Sequence, residues 1–305
     1  MKKTLIALWE KLYSSDLVLN AVYRRAHRHH LLNIMTPEET IEYILQHKCS
    51  IARFGDGEFE LVLQPDIDLG FQNRSAALAA KLEAVLGNPD PRLLVCIPLA
   101  LNTIRGRTKH SRMFWYSWSK RNEQHHRIVD LIRAKGNGNY RFGDSQITRG
   151  YLAFQNDQIA EKTFSQMRKL WDDRDLMIVE GEKTRLGIGN DLFDNARSIK
   201  RVLCPTTNAF DRYDAIIDTV RSVWNGELIL LALGPTATVL AADFANLGMQ
   251  ALDIGHVDIE YEWFLRGAKS HEQIPGKFTN EASGGNVVES CDDAQYMQQI
   301  IRRVL

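Results

Sequence analysis

Neither sign of charge is in surplus: 38 Lys and Arg stand against 38 Asp and Glu in 305 residues. A protein built to coat a phosphate backbone needs a basic excess, so this balance argues against a nucleic-acid partner. Cysteine is scarce. Cys49, Cys96, Cys204 and Cys291 lie far apart with no C-x-x-C pair, which supports neither a zinc framework nor a disulfide framework. Cys96 in "LLVCIP" and Cys204 in "RVLCP" sit in apolar runs and read as buried, reduced thiols suited to the cytoplasm. Runs of the ~20 apolar residues needed to span a bilayer are missing. "MKKTLIALWEKL" opens like a signal peptide, but Glu10 and Lys11 cut its apolar stretch and no small-residue cleavage site follows. Low-complexity segments and Pro/Gly/Ser-rich linkers are missing too, which favours one domain. There is no G-x-G-x-x-G, so a nicotinamide dinucleotide is not favoured.

What is present is an ordinary globular composition: 44% hydrophobic, 25% charged, mean hydropathy −0.29. Residues 1–34 form a basic start, with Lys2, Lys3, Lys11, Arg24, Arg25 and Arg28 against Glu10 and Asp16. Leu5, Leu8, Trp9 and Leu12 share one helical face. Such an amphipathic extension suits peripheral contact with an anionic membrane surface, or packing on its own domain. Residues 35–305 then read as a single domain. "TPEET" starts a helix with Thr36 as cap, Pro37 at the first position and Glu39 closing a capping box. That helix is expected to reach about His47. "CSIARF", "PRLLVCIP", "DLMIVEGE", "SIKRVLCP", "ELILLALG" and "MQALDIGH" read as apolar strands, as in a sheet buried on both faces. Helices are expected over 76–87, most of 105–135, 190–197, 208–224 and 235–247, with another in the terminal "YMQQIIRRVL", packed on its own domain or on a second copy in a homo-oligomer. Strands alternating with helices imply an α/β fold with a mainly parallel sheet and helices on both faces.

Four stretches carry potential chemistry. In "RFGDGEFE", Asp56 and Glu58 follow a buried strand, flanked by glycines. In an extended segment, residues two apart project to the same side, and paired carboxylates suit Mg²⁺ or Mn²⁺ shared with a substrate phosphate. A polar turn is the plain alternative. In "LGPTATVL", a strand runs through Gly234, Pro235 and Thr236 into a helix, whose free N–H groups favour an anion; Thr236 as a simple cap is the alternative. "EGEKTRLGIGNDLF" interleaves Arg185, Gly189 and Asn190, as a diphosphate clamp or as a structural loop. "DIGHVDIEYEWF" crowds Asp253, His256, Asp258, Glu260 and Glu262 together. His256 is placed to ligate, and Asp258 or Glu260 to act as a base. Four acids so close to a buried strand call for a cation nearby. "RFGD" also occurs twice, at 53–56 and 141–144. The strip "RGRTKHSRMFWYSWSKR" mixes cations with aromatics and fits an amphipathic helix with its rings in the core.

In order, "SIARFGDGEFELV … GFQ", "YRFGDSQITRGY", "IVEGEKTRLGIGNDLF", "RVLCPTTNAFDRYD", "ILLALGPTATVLAADFANLGMQALDIGHVDIEYEWF" and "KFTNE" resemble the GT-D fold glycosyltransferases. These were first known as a domain of unknown function and occur in bacterial adhesin glycosylation and polysaccharide gene clusters. The likeness covers roughly residues 35 to 285. It implies a Rossmann-like α/β domain that binds a UDP-sugar with Mn²⁺ or Mg²⁺ and passes the sugar to a glycan acceptor on protein or a lipid carrier. The enzyme would work in the cytoplasm, at the inner face of the membrane. The family's D-x-E falls on Asp56 and Glu58, with His256 as a further metal candidate. Arg53, Phe54, Gly55, Arg149, Arg185, Gly189, Asn190, Gly234, Pro235 and Thr236 are the expected nucleotide-sugar contacts. Glu260 or Asp258 is the expected base. A metal-dependent nucleotide phosphohydrolase and a non-catalytic nucleotide binder are the competing readings.

Overall fold

The computed structural model describes residues 16–64, 67–87, 90–136 and 138–305. Helices α1 (Asp16–His27) and α2 (Pro37–His47) precede β1 (Ser50–Arg53). Then α3 (Asp56–Leu63) and α4 (Ala76–Leu86) lead to β2 (Leu93–Ile97). Next, α5 (Lys109–Lys120) and α6 (Gln124–Ala134) lead to the short β3 (Gly143–Asp144). After it come α7 (Asp157–Arg168), β4 (Asp175–Gly181), β5 (Ser198–Cys204), α8 (Tyr213–Val223), β6 (Leu228–Ala232), α9 (Pro235–Asn246), β7 (Ala251–Asp253) and α10 (Val257–Arg266). A long irregular stretch then reaches α11 (Ala294–Gln299) and β8 (Ile300–Arg303). The strands form one sheet in the order β3-β2-β1-β7-β6-β4-β5-β8, with every pairing parallel.

Alternate side chains of each strand enter opposite cores. Ile51, Leu94, Ile178, Leu230 and Leu252 face α2, α7 and α10. Ala52, Val95, Val179 and Leu231 face α1, α3–α6, α8 and α9. Both faces are therefore dry, which is why β2 and β6 are buried at every position and read as unbroken apolar runs. α2 starts as its sequence demands: the Thr36 side chain accepts from the Glu39 N–H while Glu39 returns to the Thr36 N–H. Trp115 and Trp118 of α5 enter the core, and Cys49, Cys96 and Cys204 are buried free thiols.

Several expectations change. Residues 190–197 make turns, not a helix. Asn190 accepts from the Leu192 N–H through its own side chain, and Asn195 caps the Arg168 carbonyl. The Asn190 bond is local and competes with a helical ladder, whereas the Asn195 bond ties the turns to the end of α7. The C-terminal helix stops at Gln299, and the β-branched Ile300 and Ile301 begin an edge strand on β5. The basic start divides: residues 1–15 lie outside the described residues, whereas Leu19, Tyr23 and Leu32 join the main core and Ile34 bridges to Phe142. From Asp16 onward the segment is part of the domain.

Candidate active site

Strands β1 to β7 present their C-terminal ends on one edge of the sheet, and a cavity of about 370 Å³ opens there, a size suited to a small ligand. Asp56 and Glu58 line it after β1, Ser145 and Gln146 after β3, Thr184 after β4, Thr206 and Asn208 after β5, Gly234 after β6, and Asp253 and His256 after β7. Phe278 to Glu281 close one side. Although β4 and β6 are neighbours, the chain leaves β4 towards β5 and β6 towards β7, on opposite sides. At such a reversal the connecting segments diverge and leave a ligand crevice.

Asp56 and Glu58 occupy the first turn of α3, not an extended segment. At ~100° per residue their side chains therefore diverge. Glu58 folds back and accepts from the Gly55 N–H at 2.7 Å. Burial pushes its carboxyl up to about 7. Asp56 makes no ion pair and no hydrogen bond to another residue among the described residues, and burial raises its pKa although Arg149 opposes this. A cavity acid that burial disfavours, and that forms no ion pair, suits a bound cation.

Arg149 grips Glu281 with two bonds of 3.0 and 2.7 Å. Its Nη2 also lies 3.2 Å from His256 Nε2. Burial alone would raise Glu281, but the Arg149 guanidinium holds it well below the usual carboxylate range. Burial and Arg149 together push His256 down to about 3, so its imidazole is neutral and Nε2 accepts from Arg149. His271 Nε2 stands 3.8 Å from Glu281 on another side. The cavity wall thus carries a fixed guanidinium whose orientation is set by a carboxylate fork.

The structure brings together Arg53, Gly55, Asp56, Glu58, Arg149, Gly234 and His256 of the expected residues. Arg53 is nonetheless a structural clasp. It donates to the Asp253 carbonyl (2.6 Å) and carboxylate (2.8 Å), Thr148 Oγ1 (2.6 Å), and the carbonyls of Ser145 (3.2 Å) and Gly255 (3.1 Å). Phe54 is buried against Phe59 in the core. Pro235 and Thr236 lie behind the cavity wall, and Thr236 bonds Gln72. Gly234 remains exposed at a helix start with no side-chain cap. Its φ of 56° and a Phe71 ring 2.9 Å from any added Cβ require glycine.

Five other expected site residues point elsewhere. Arg185 holds the carbonyls of Gly276 (2.7 Å) and Glu289 (2.5 Å). Gly189 and Asn190 lie outside the cavity lining, and Asn190 donates to Asp258 and Glu262. The 185–190 segment is thus the structural loop, not a diphosphate clamp. Asp258 accepts from Lys277 Nζ at 2.6 Å and from the Gly187 N–H at 2.9 Å. Glu260 accepts from the N–H groups of Tyr151 and Leu152, both at 3.0 Å. Neither acid lines the cavity, because α10 turns Ile259 towards it instead. The geometry therefore does not support either as the base. The cation that the α10 acids demanded is Lys277, which also reaches Glu262 at 3.0 Å.

Sequence reasoning missed Gln146, Thr184, Thr206, Asn208 and Glu281 as lining residues. "KFTNE" marked the neighbourhood of Glu281 without assigning it a role. As metal ligands, Asp56, Glu58 and His256 fare unequally. Asp56 is open to a cation. His256 turns its free lone pair on Arg149. Among the described residues, the group that brings three ligand atoms within 4.8 Å of one another is His27, His125 and His126, none of which lines the cavity.

Comparison with known proteins agrees with this architecture. The model of the glycosyltransferase GT-D fold matches residues 51–282. Glycosyltransferase GlyD of Streptococcus pneumoniae serotype 4 is 35% identical over 276 residues, which is 90% of this chain and 33% of that protein. The probable glycosyl transferase Gly of Streptococcus gordonii is 36% identical over 273 residues, 88% of this chain and 38% of that protein. The chain thus spans about a third of the length of these curated relatives. A solved structure described as a new glycosyltransferase (DUF1792) from Streptococcus sanguinis is 34% identical with a TM-score of 0.80, covering 90% of this chain and all of that one. Another, described as a domain of unknown function 1792 with a distinct glycosyltransferase fold, is 33% identical, also at 0.80, covering 95% and 99%. The extent of these matches, together with the all-parallel sheet, places the chain in the GT-D fold glycosyltransferase family.

Proposed function

We propose that this chain is a glycosyltransferase that moves a sugar from a UDP-sugar to a glycan acceptor on protein or a lipid carrier, assisted by Mn²⁺ or Mg²⁺. The observation that carries this reading is Asp56: an acid without a cation partner, in a strand-end cavity that also holds a fixed Arg149. Asp56 would hold the ion, with Glu58 behind it. Bound there with the donor, the ion would offset charge building on the departing diphosphate. Arg149, held in place by Glu281, would stabilise the same charge by hydrogen bonding. The open N-terminus of α9 at Gly234 gives the phosphates further N–H donors. The anomeric carbon becomes oxocarbenium-like as the bond to phosphate lengthens. An acceptor at the membrane would place the enzyme at the inner face. Among the described residues, no helix is long and apolar enough to cross a membrane.

Turnover of a UDP-sugar panel, with products identified by mass spectrometry, tests the reading. A glycosylated acceptor and released UDP are expected. Asp56→Asn should lower this turnover by on the order of 10²-fold, the scale of losing one preorganised charge contact. Release of inorganic phosphate without sugar transfer would point to the phosphohydrolase instead.

A further inference from the structure

Three histidines come together outside the cavity lining, where α1 meets α6. We propose that His27, His125 and His126 form a structural site for a zinc-class divalent ion. One ring nitrogen from each lies within 4.8 Å of the others. His27 Nδ1 and His126 Nε2 are 3.3 Å apart, matching the ~3.3 Å edge of a tetrahedron with zinc–nitrogen bonds of ~2.0–2.1 Å; the His27 and His125 rings are stacked with centroids 3.8 Å apart, so one of them turns when the ion binds.

His125 supplies an independent observation. Its ring is fully buried, and Nε2 lies 2.8 Å from the Leu101 carbonyl. That nitrogen must therefore carry the proton, which leaves a lone pair on Nδ1. Nδ1 is buried and has no hydrogen-bond partner. A ring that donates one N–H to a backbone carbonyl and keeps a lone pair on its other, buried nitrogen has the tautomer and anchoring of a metal ligand. Three imidazoles and no carboxylate in the set suit zinc, copper or nickel over magnesium or manganese. Three protein ligands leave a fourth position for water.

The role follows from position. His27 ends α1, His125 and His126 lie in the first turn of α6, and 99 residues separate His27 from His126. An ion joining them closes a long loop, the case in which a metal link constrains the unfolded chain most. His27 also precedes residue 51, where the family match begins. The ion would fasten this helix to the fold independently of donor binding.

The test uses the full chain, freed of metal by a chelator and then titrated with zinc chloride. One equivalent is expected to stay bound through gel filtration and to raise the thermal midpoint. The half-buried His126 is the position to change. His126→Ala should lose at least tenfold in zinc affinity and the thermal shift, whereas Asp56→Asn should keep both. Cobalt(II) in the unaltered protein should show the intense visible bands of a four-coordinate site, a readout that needs no variant to fold. Zinc held equally by His126→Ala, zinc lost from Asp56→Asn, or octahedral cobalt spectra would each overturn the proposal.

Discussion

Asp56 and Glu260 are both acids whose carboxyls burial raises, yet their neighbours give them different work. Asp56 faces the cavity without a partner, so it is available to a cation. Glu260 receives two backbone N–H groups and fixes the 151–152 backbone beside Arg149. The sequence offered both as chemical groups because it shows residue type and spacing but not orientation. Only the start of α3 at Asp56, and the turn of α10 that points Ile259 inward, separate them. Burial raises the Glu260 carboxyl from 4.5 to about 7. The folded protein thus binds this proton more tightly than the unfolded chain does. Its contribution to stability is complete below about pH 4.5 and is lost as pH rises through about 7. Glu260→Gln keeps an oxygen for the two N–H groups and removes the titration. Urea midpoints of this variant should fall less steeply between pH 5 and 7 than those of the parent, and its turnover should drop far less than that of Asp56→Asn. An unchanged pH slope, or a turnover loss as large as for Asp56→Asn, would return Glu260 to the reacting groups.

Helix α10 shows how an element can be half legible. Its acids announce that a cation must lie near, since buried charge without a partner is costly. Nothing in their spacing says that Lys277 arrives from a segment beyond the helix. The same limit hid the terminal strand β8, decided by its pairing with β5, and the bond by which Asn195 ties the 190–197 turns to α7. Local signals fared better: the α2 capping box and the proline-led start of α9 are complete within a few residues and appear where expected. Lys277, Asp258 and Glu262 are buried, with side-chain exposures of 4%, 3% and 7%. Lys277→Met leaves the two carboxylates without their ammonium. Removing one partner of such a group costs about 3–5 kcal/mol, which should appear as a large drop in the denaturant midpoint. A change of no more than ~0.5 kcal/mol, the size of an ordinary surface substitution, would show that the network contributes little.

At the scale of the whole molecule, the fold class was legible because strands buried on both faces must be apolar throughout, and helices between them require parallel connections. Strand order was not, since it depends on which edges meet in three dimensions. That order places the reversal between β4 and β6 beside the cavity and sets residues from seven strand ends around one ligand-sized space. The proposed function requires Asp56 to make this space a cation-assisted site for the donor's diphosphate. Calorimetric titration of UDP into the protein, with Mn²⁺ and then with chelator, tests it most directly when repeated on Asp56→Asn. The expected result is binding that requires Mn²⁺ in the parent and is lost in the variant, with circular dichroism unchanged. Equal UDP affinity with metal and with chelator, or an unaltered affinity in Asp56→Asn, would contradict the claim.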